Sequence, residues 1–515
     1  MRTLIALVLS TGLAAIAQPV INGMSNAVSL QQTYAPGSLA VIFGKNLMGS
    51  LGTNTTVMVG SNAAYVSATG SNSNQLAIQI PTNAPVGEPL NVVVTVAGQA
   101  SNPFAITLAP YAPAMYTANQ MGTGVGQFFD TTAKANPITT ANPAKPGNTY
   151  TIYATGLGPT NPPVLTGTMP PQPVPLTPLP ALTIGTESAT VDYAALAAGY
   201  VGLYQINFTL PSDASGCATN VVLTVGSGVS AISSPPVTLP IAITSPVVCA
   251  VENSATASVR DAVHPAAPNS FISVYAVGLN VPDSAGSLFP ATSYQGLEVD
   301  FNGVALPLYN VLPSVNLINT TLPSNAPTSG SGAITIKNLT GASQNYFIAL
   351  APADVGVFPF GGPGAPNQGV VLLANTYWFA MPASLAPTYK LPTPCGGLSV
   401  ATPCGQPVHP NDEIVVYFTG GGLATPNGNP NGSPLPAGSV APVDGSVIYD
   451  TVTTPSIVIG GISATPLFSG IAPGTAAEYQ INVNVPAGVQ PGNQVPLMIT
   501  FGSSTTTVTF AVSSS

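Results

Sequence analysis

One stretch constrains this chain more than any other. Gly202-Leu203-Tyr204-Gln205-Ile206-Asn207-Phe208-Thr209-Leu210-Pro211 returns as Glu478-Tyr479-Gln480-Ile481-Asn482-Val483-Asn484-Val485-Pro486. Tyr, Ile and Phe or Val fall on one face, with Gln and Asn on the other, which is the period-two pattern of a half-buried strand. The proline ending both copies cannot donate to a ladder and marks where pairing stops. Fainter copies end at Pro81, behind Leu76, Ile78 and Ile80, and at Pro323, behind Ile318, Thr320 and Leu322. Four strands of one design imply four copies of one unit. What repeats is a core strand rather than a reactive group, so the sequence speaks for architecture before chemistry.

Four openings match these four closings. Ala35-Pro36-Gly37 precedes the apolar run 38–47, Pro146-Gly147-Asn148 precedes 149–158, Pro268-Asn269-Ser270 precedes 271–279, and Pro410-Asn411-Asp412 precedes 414–423. Each is a turn feeding a β-branched and aromatic strand. Between opening and closing, Ile184-Gly185 and Ile459-Gly460, with Gly60 and Gly303 in the related places, read as hairpin turns that need positive φ. A further strand follows each closing, near 92–96, 221–225, 333–336 and 495–500. Such strands, with Gly, Pro and Asn turns and no sustained helical period, indicate an all-β chain of sandwiches. The expected domains are 18–109, 110–244, 245–352 and 353–515, the last with an inserted loop at 381–407, in an elongated arrangement.

Composition narrows the partners. Only 4% of the 515 residues are charged, against roughly 25% in a typical soluble protein. A net charge of −9 with seven Lys and Arg excludes nucleic acid and anionic lipid, which need clustered cations. Met1-Arg2-Thr3, an apolar run to Ala15 and the small-x-small Ala15-Ile16-Ala17 read as a signal peptide over residues 1–17. The run is shorter than the ~20 residues a span requires, and Gly, Pro or Asn interrupts every later apolar run. The expectation is export to the outer surface or periplasm, with no membrane span after the signal is removed. Four cysteines in an exported chain read as bridges, and four allow three pairings. Cys395 and Cys404 bracket a short loop, which leaves Cys217 with Cys249; a zinc site lacks paired C-x-x-C spacing.

Asn26 with Ala35-Pro36-Gly37, Phe43-Gly44-Lys45-Asn46-Leu47, Asn142-Pro143-Ala144-Lys145-Pro146-Gly147, Tyr153-Ala154-Thr155-Gly156-Leu157-Gly158 and Gly202-Leu203-Tyr204-Gln205-Ile206-Asn207 resemble the uncharacterised carboxy-terminal β-domain family of secreted acidobacterial proteins. The opening turn and Gly-x-x-Ala hairpin are similar to IPT/TIG immunoglobulin-like domains. The resemblance covers residues 20–243. From 245 it continues as a degenerate second copy, with Pro268-Asn269 in place of Pro-Gly and an expanded segment around Cys395 and Cys404. It implies export and a duplicated pair of immunoglobulin-like sandwiches, hence four in tandem, and it carries no catalytic residues.

Chemistry is sparse. His264 and His409 each precede proline and read as turn residues; His409 and Asp412 lack a G-x-S-x-G partner. Glu298 and Asp300 share a strand face and alternate with Leu297, Val299 and Phe301, which reads as a solvent-facing edge rather than a paired-carboxylate site. Asp283, Asp354, Asp444 and Asp450 offer loop oxygens for calcium, without a D-x-D-x-D-G run. Gly420-Gly421-Gly422 and the glycine stretch 361–364 lack the Lys-Ser/Thr of a phosphate cradle and read as loop chemistry. Neither a metal nor a cofactor is expected, and the chain is read as no enzyme. Tyr377-Trp378-Phe379 holds the single tryptophan and borders the inserted loop. It is the candidate ligand contact, an aromatic platform for sugar rings or a partner, set against a Trp378 that fills the fourth core. Gln75, Gln205 and Gln480 recur at one position and are expected to clamp the backbone of the long loop. The leading function is an exported non-enzymatic structural or adhesive binding protein with protein or glycan partners at the cell surface. The alternative is a carbohydrate-binding accessory protein using the loop aromatics of the fourth domain.

Overall fold

The computed structural model describes residues 17–49, 54–131, 136–361, 367–436 and 438–514. The signal segment, apart from Ala17, and the glycine stretch after Gly361 lie outside them. The chain divides into two compact units, Met1–Ala242 and Ile243–Ser515. It is all-β, with only short 3-10 turns among the described residues, and four hydrophobic cores follow one another along the sequence.

In the first unit, the first sandwich sets Val20–Asn26, Leu39–Lys45 and Gln75–Gln79 side by side, and Thr55–Val59 beside Pro89–Val96. Asn62–Val66 crosses between these groups, pairing with Thr55–Val59 at its start and Gln75–Gln79 at its end. Ile42, Leu76, Ile78, Val92 and Val94 fill the core. The second sandwich repeats the plan with Glu187–Leu196 as the crossing strand. Its start pairs with Ala181–Ile184, and from Thr190 on, through a bulge between Val191 and Tyr193, the rest pairs with Tyr204–Thr209. A bulge bends a strand and increases its twist, which is how one strand serves both layers of a sandwich. Tyr204, Ile206 and Phe208 are buried and Gln205 and Asn207 face outward, as the alternation expects.

In the second unit the layers are separate sheets and the crossing segment is split, Val304–Ala305 and Ile462–Ala464 pairing in one layer and Leu308–Leu312 and Pro466–Ile471 in the other. Leu308–Leu312 shifts register between Leu308 and Asn310 against Leu317–Thr321, and Pro466–Ile471 shifts between Pro466 and Phe468 against Tyr479–Asn484. The hairpins preceding the crossing strands turn on positive φ, +61° at Gly185 and +56° at Gly460; in the third sandwich Asn302 takes that place at +50°. Val274, Ile318 and Ile336 lie in the third core, and Phe418, Tyr479, Ile481 and Ile499 in the fourth.

Each unit holds its two sandwiches together with the same joint. In the first, the Asn26 Oδ1 accepts from Val28 N and Ser29 N at 2.9 and 3.2 Å, while its Nδ2 donates to Ala112 O at 3.4 Å. In the second, Asn253 Oδ1 accepts from Ala255 N and Thr256 N at 3.0 and 3.3 Å, and its Nδ2 donates to Asp354 O at 3.0 Å. Leu39 N donates to Thr155 Oγ1 at 3.0 Å, and Phe271 N to Thr419 Oγ1 at 2.7 Å. The residue after each threonine must be glycine. A Cβ on Gly156 would lie 2.0 Å from Ala112 O, and one on Gly420 1.9 Å from Asp354 O. The second joint adds an ion pair in which Arg260 Nε and Nη2 donate to Asp354 at 2.7 and 2.5 Å, both side chains being buried.

Several expectations are corrected. Gly420-Gly421-Gly422 do lie in a loop, between Glu413–Thr419 and Ala424–Pro426, but it is not a free one: all three residues are buried, and Gly420 and Gly422 lie where the connecting backbone at Asp354 and Pro352 presses closest. Asp300 does not face solvent. Its strand Glu298–Phe301 is flanked on both sides, and the buried carboxylate pairs with Lys337. The glutamine clamp is also misplaced. Gln205 and Gln480 bond Asn207 and Asn482 two residues on, and Gln75, among the described residues, reaches only Gly70 O. Gln79 does hold a long loop, accepting from Gly167 N at 2.7 Å and donating to Gly37 O at 3.2 Å. Cys395 and Cys404 form a disulfide with Cα atoms 5.7 Å apart, and no described cysteine is free.

Candidate functional site

The outer sheet face of the fourth sandwich is where polar and aromatic side chains gather. Trp378–Ala380, Val371–Leu373, Glu413–Thr419, Tyr479–Asn484 and Pro466–Ile471 lie in that order. Register places Phe379, Leu372, Val415, Asn482 and Phe468 in one cross-strand row, and Tyr417, Gln480 and Gly470 in the next. Because side chains alternate along a strand, everything in these rows faces away from the core formed by Val416, Phe418, Tyr479 and Ile481. The result is a trough of about 620 Å³ lined by Tyr377, Phe379, Tyr417, Glu478, Gln480 and Asn482. It continues past Pro473 and Gln480 into a more apolar hollow of about 250 Å³ at Val443, Ile448, Tyr449 and Phe468.

The polar groups are oriented. Gln480 Nε2 donates to Asn482 Oδ1 at 2.6 Å, and Asn482 Nδ2 donates to Glu413 Oε1 at 2.8 Å. Glu478 is half-buried, and its carboxylate has no hydrogen-bond partner among the described residues. Burial pushes its carboxyl above the usual range. The Tyr417 phenol is likewise raised, first by burial and then by the charges of Glu478 and Tyr377. Phe379 is fixed from behind by Phe360, edge to face at 4.6 Å, and Phe360 packs on Tyr389 of the inserted segment at 4.5 Å.

The three expected aromatics separate. Tyr377, 59% exposed, and Phe379 line the trough. Trp378 points the other way from its strand, half-buried, with its Nε1 buried and unpartnered among the described residues. Sequence pattern alone does not single out Tyr417, Glu413 or Glu478 as trough residues. A signal was present for Glu478, since the best-matched copy of that strand carries Leu203 at the same place.

The other candidates resolve into local structure. His264 Nδ1 sits 2.9 Å from Asp261 Oδ1, and His409 N donates to Asp412 Oδ2 at 2.8 Å, both within turns. Asp283 accepts from Ser314 and Asp444 from Ser446, and Asp354 is committed to Arg260. Among the described residues no three His, Cys, Asp or Glu side chains converge to hold a metal, and no helix is long and apolar enough to cross a membrane. A cleft of about 410 Å³ within the first unit, at Val86, Tyr111, Pro163 and Leu165, is the crease beside the Gln79 clamp.

Comparisons add the following. A surface glycan-binding protein from Prevotella bryantii is 13% identical, covering 56% of this chain and 58% of its own length, with a TM-score of 0.16. SGBP-B from a complex xyloglucan utilization locus in Bacteroides uniformis is 10% identical over 65% of this chain and 100% of its own, TM-score 0.18. The ectodomain of mouse nectin-like molecule 4 is 10% identical over 62% and 96%, TM-score 0.16. This chain thus spans under two thirds of the Prevotella protein. No curated protein matches the sequence. Residues 24–108, the first sandwich, match the IPT/TIG domain, which gives the chain a domain of the immunoglobulin type.

Proposed function

We propose that the protein is an exported, non-catalytic adhesive binding protein of four immunoglobulin-like domains, bounded near residues 110, 245 and 353, that holds a neutral glycan in the trough of the fourth sandwich. The observation that carries this reading is Glu478, a half-buried carboxylate without a partner among the described residues, facing a trough walled by Tyr377 and Tyr417. A half-buried carboxylate that no protein donor serves favours a ligand rich in donors. Sugar hydroxyls supply such donors, the Gln480 and Asn482 amides offer complementary groups, and tyrosine faces accept the C–H side of a pyranose ring. No Lys or Arg lines the trough, so an anionic chain would find no counter-charge there. Export is supported by the leader pattern and by oxidised cysteines, which persist outside reducing compartments.

The test is titration of the full chain with a panel of neutral hexasaccharides of glucose, mannose, galactose and xylose. At least one should bind, and Tyr417→Ala and Glu478→Gln should each weaken it at least tenfold, about 1.4 kcal/mol. If no member binds, or if both variants bind as the wild type does, the reading falls.

A further inference from the structure

The outward face of the closing strand differs among the four sandwiches. In the first, Ala77 stands where an asparagine would be, and Gln79 is buried under the loop it clamps. In the third, Leu317 stands at the glutamine position, and the neighbouring Phe271 packs on Tyr309 at 4.7 Å and Phe358 at 6.2 Å. In both, the end of the outward face is covered, Gln79 and Thr321 being buried, whereas Thr209 at the same position of the second stays half-buried and Asn484 of the fourth is exposed.

We infer that the second sandwich carries a second glycan site on its equivalent face, so that one chain holds two copies of one site; this rests on the reading of the fourth-sandwich trough. A hollow of about 470 Å³ lies there, lined by Phe129, Thr151, Tyr153, Gln205 and Asn207. Its register repeats the fourth sandwich, with Tyr153 opposite Gln205 as Tyr417 is opposite Gln480, and Thr151 opposite Asn207 as Val415 is opposite Asn482. The amide bond repeats too, with Gln205 Nε2 donating to Asn207 Oδ1 at 3.0 Å. Thr151 Oγ1 lies 2.9 Å from the same oxygen. Both contacts fall on the oxygen of Asn207, so its two Nδ2 hydrogens have no partner among the described residues and are available to a hydroxyl oxygen. Phe129 stands edge to face with Tyr153 at 6.0 Å, making an aromatic wall beside the amide pair as Phe379 and Tyr417 do in the fourth. Among the described residues no Lys or Arg lines this hollow, and the Asp130 that does line it already has a partner, so the ligand class is the same neutral, polyhydroxylated one. Leu203 stands where the fourth sandwich has Glu478, which makes the second site the weaker.

The experiment is native mass spectrometry and calorimetry of the full chain with the same hexasaccharide panel. Two molecules should bind per chain. Tyr153→Ala should leave one, at the tighter affinity; Tyr417→Ala should leave one, several-fold weaker; the double variant should bind none. Asn207→Ala is the second probe of the weaker site, should Tyr153→Ala fail to fold by its thermal melt. A single site, abolished by Tyr417→Ala and untouched by Tyr153→Ala and Asn207→Ala, overturns the second site and leaves the first standing. Absence of binding by every member overturns both.

Discussion

Removing the Asn26 side chain should loosen the joint of the first unit by an amount its geometry fixes. Asn26 is fully buried. Its Oδ1 is the acceptor for Val28 N and Ser29 N, both on buried residues, and its Nδ2 serves Ala112 O across the joint. Asn26→Ala orphans two backbone donors and a carbonyl. At about 1–3 kcal/mol for each buried group left unpaired, less what water recovers near the surface, the loss should be about 2–5 kcal/mol. Asn26→Asp keeps the acceptor for the turn but buries an unpaired carboxylate and turns an oxygen toward Ala112 O, so it should cost at least as much as alanine. Chemical unfolding of wild type and both variants measures this. A double-mutant cycle with Thr155→Val, which removes the Leu39 N acceptor of the same joint, should show coupling above ~0.5 kcal/mol. Asn26→Ala within ~0.5 kcal/mol of wild type, or strict additivity with Thr155→Val, would refute the joint.

Three further outcomes follow from the packing and the charges. Ile206 is fully buried; Ile206→Ala deletes three carbons at about 0.8 kcal/mol each and leaves a cavity, so melts should show a loss of about 2–5 kcal/mol, whereas the outward Gln205→Ala should stay within ~1 kcal/mol. Arg260→Ala leaves the buried Asp354 carboxylate with only Asn253 beside it, and the second unit should lose about 3–5 kcal/mol by denaturant titration. Glu478 should report its burial in two opposite ways. Its folded-state carboxyl is raised, so in the free protein its contribution to stability falls as pH rises through the window above the ordinary carboxylate value. Hydroxyl donors favour the ionised form, so glycan affinity should rise with pH across that same window, a dependence Glu478→Gln should remove. Tyr417 and Tyr309, which face Glu478, have phenols raised further and stay neutral there.

Local features were legible in the sequence because their cause is local. The inward Tyr204, Ile206 and Phe208, the positive φ at Gly185 and Gly460, and the short Cys395–Cys404 loop all follow from residue type and period. The joints were not legible, since Asn26, Thr155 and Gly156 acquire meaning only when Ala112 and Leu39 arrive from elsewhere in the chain. Gln79 shows the limit clearly. Gln75 and Gln79 share one strand face, and alternation alone does not say which of them the Gly167 loop reaches. Asp300 shows another: its outward alternation was correct in period, but a neighbouring strand brings Lys337 over it. The trough requires the register of five strands, of which Trp378–Ala380 is short and held by a parallel pairing with Cys404–Gln406 that no periodicity announces. Trp378 drew attention by being the single tryptophan, while the residues on either side of it face the trough.

The most direct test of the central claim is a crystal structure of the full chain with the tightest-binding hexasaccharide of the panel. A sugar ring should lie against Tyr417, with hydroxyls within hydrogen-bonding distance of the Glu478 carboxylate and the Gln480 amide. An oligosaccharide ordered elsewhere on the protein, with the fourth-sandwich trough holding only water, would contradict it.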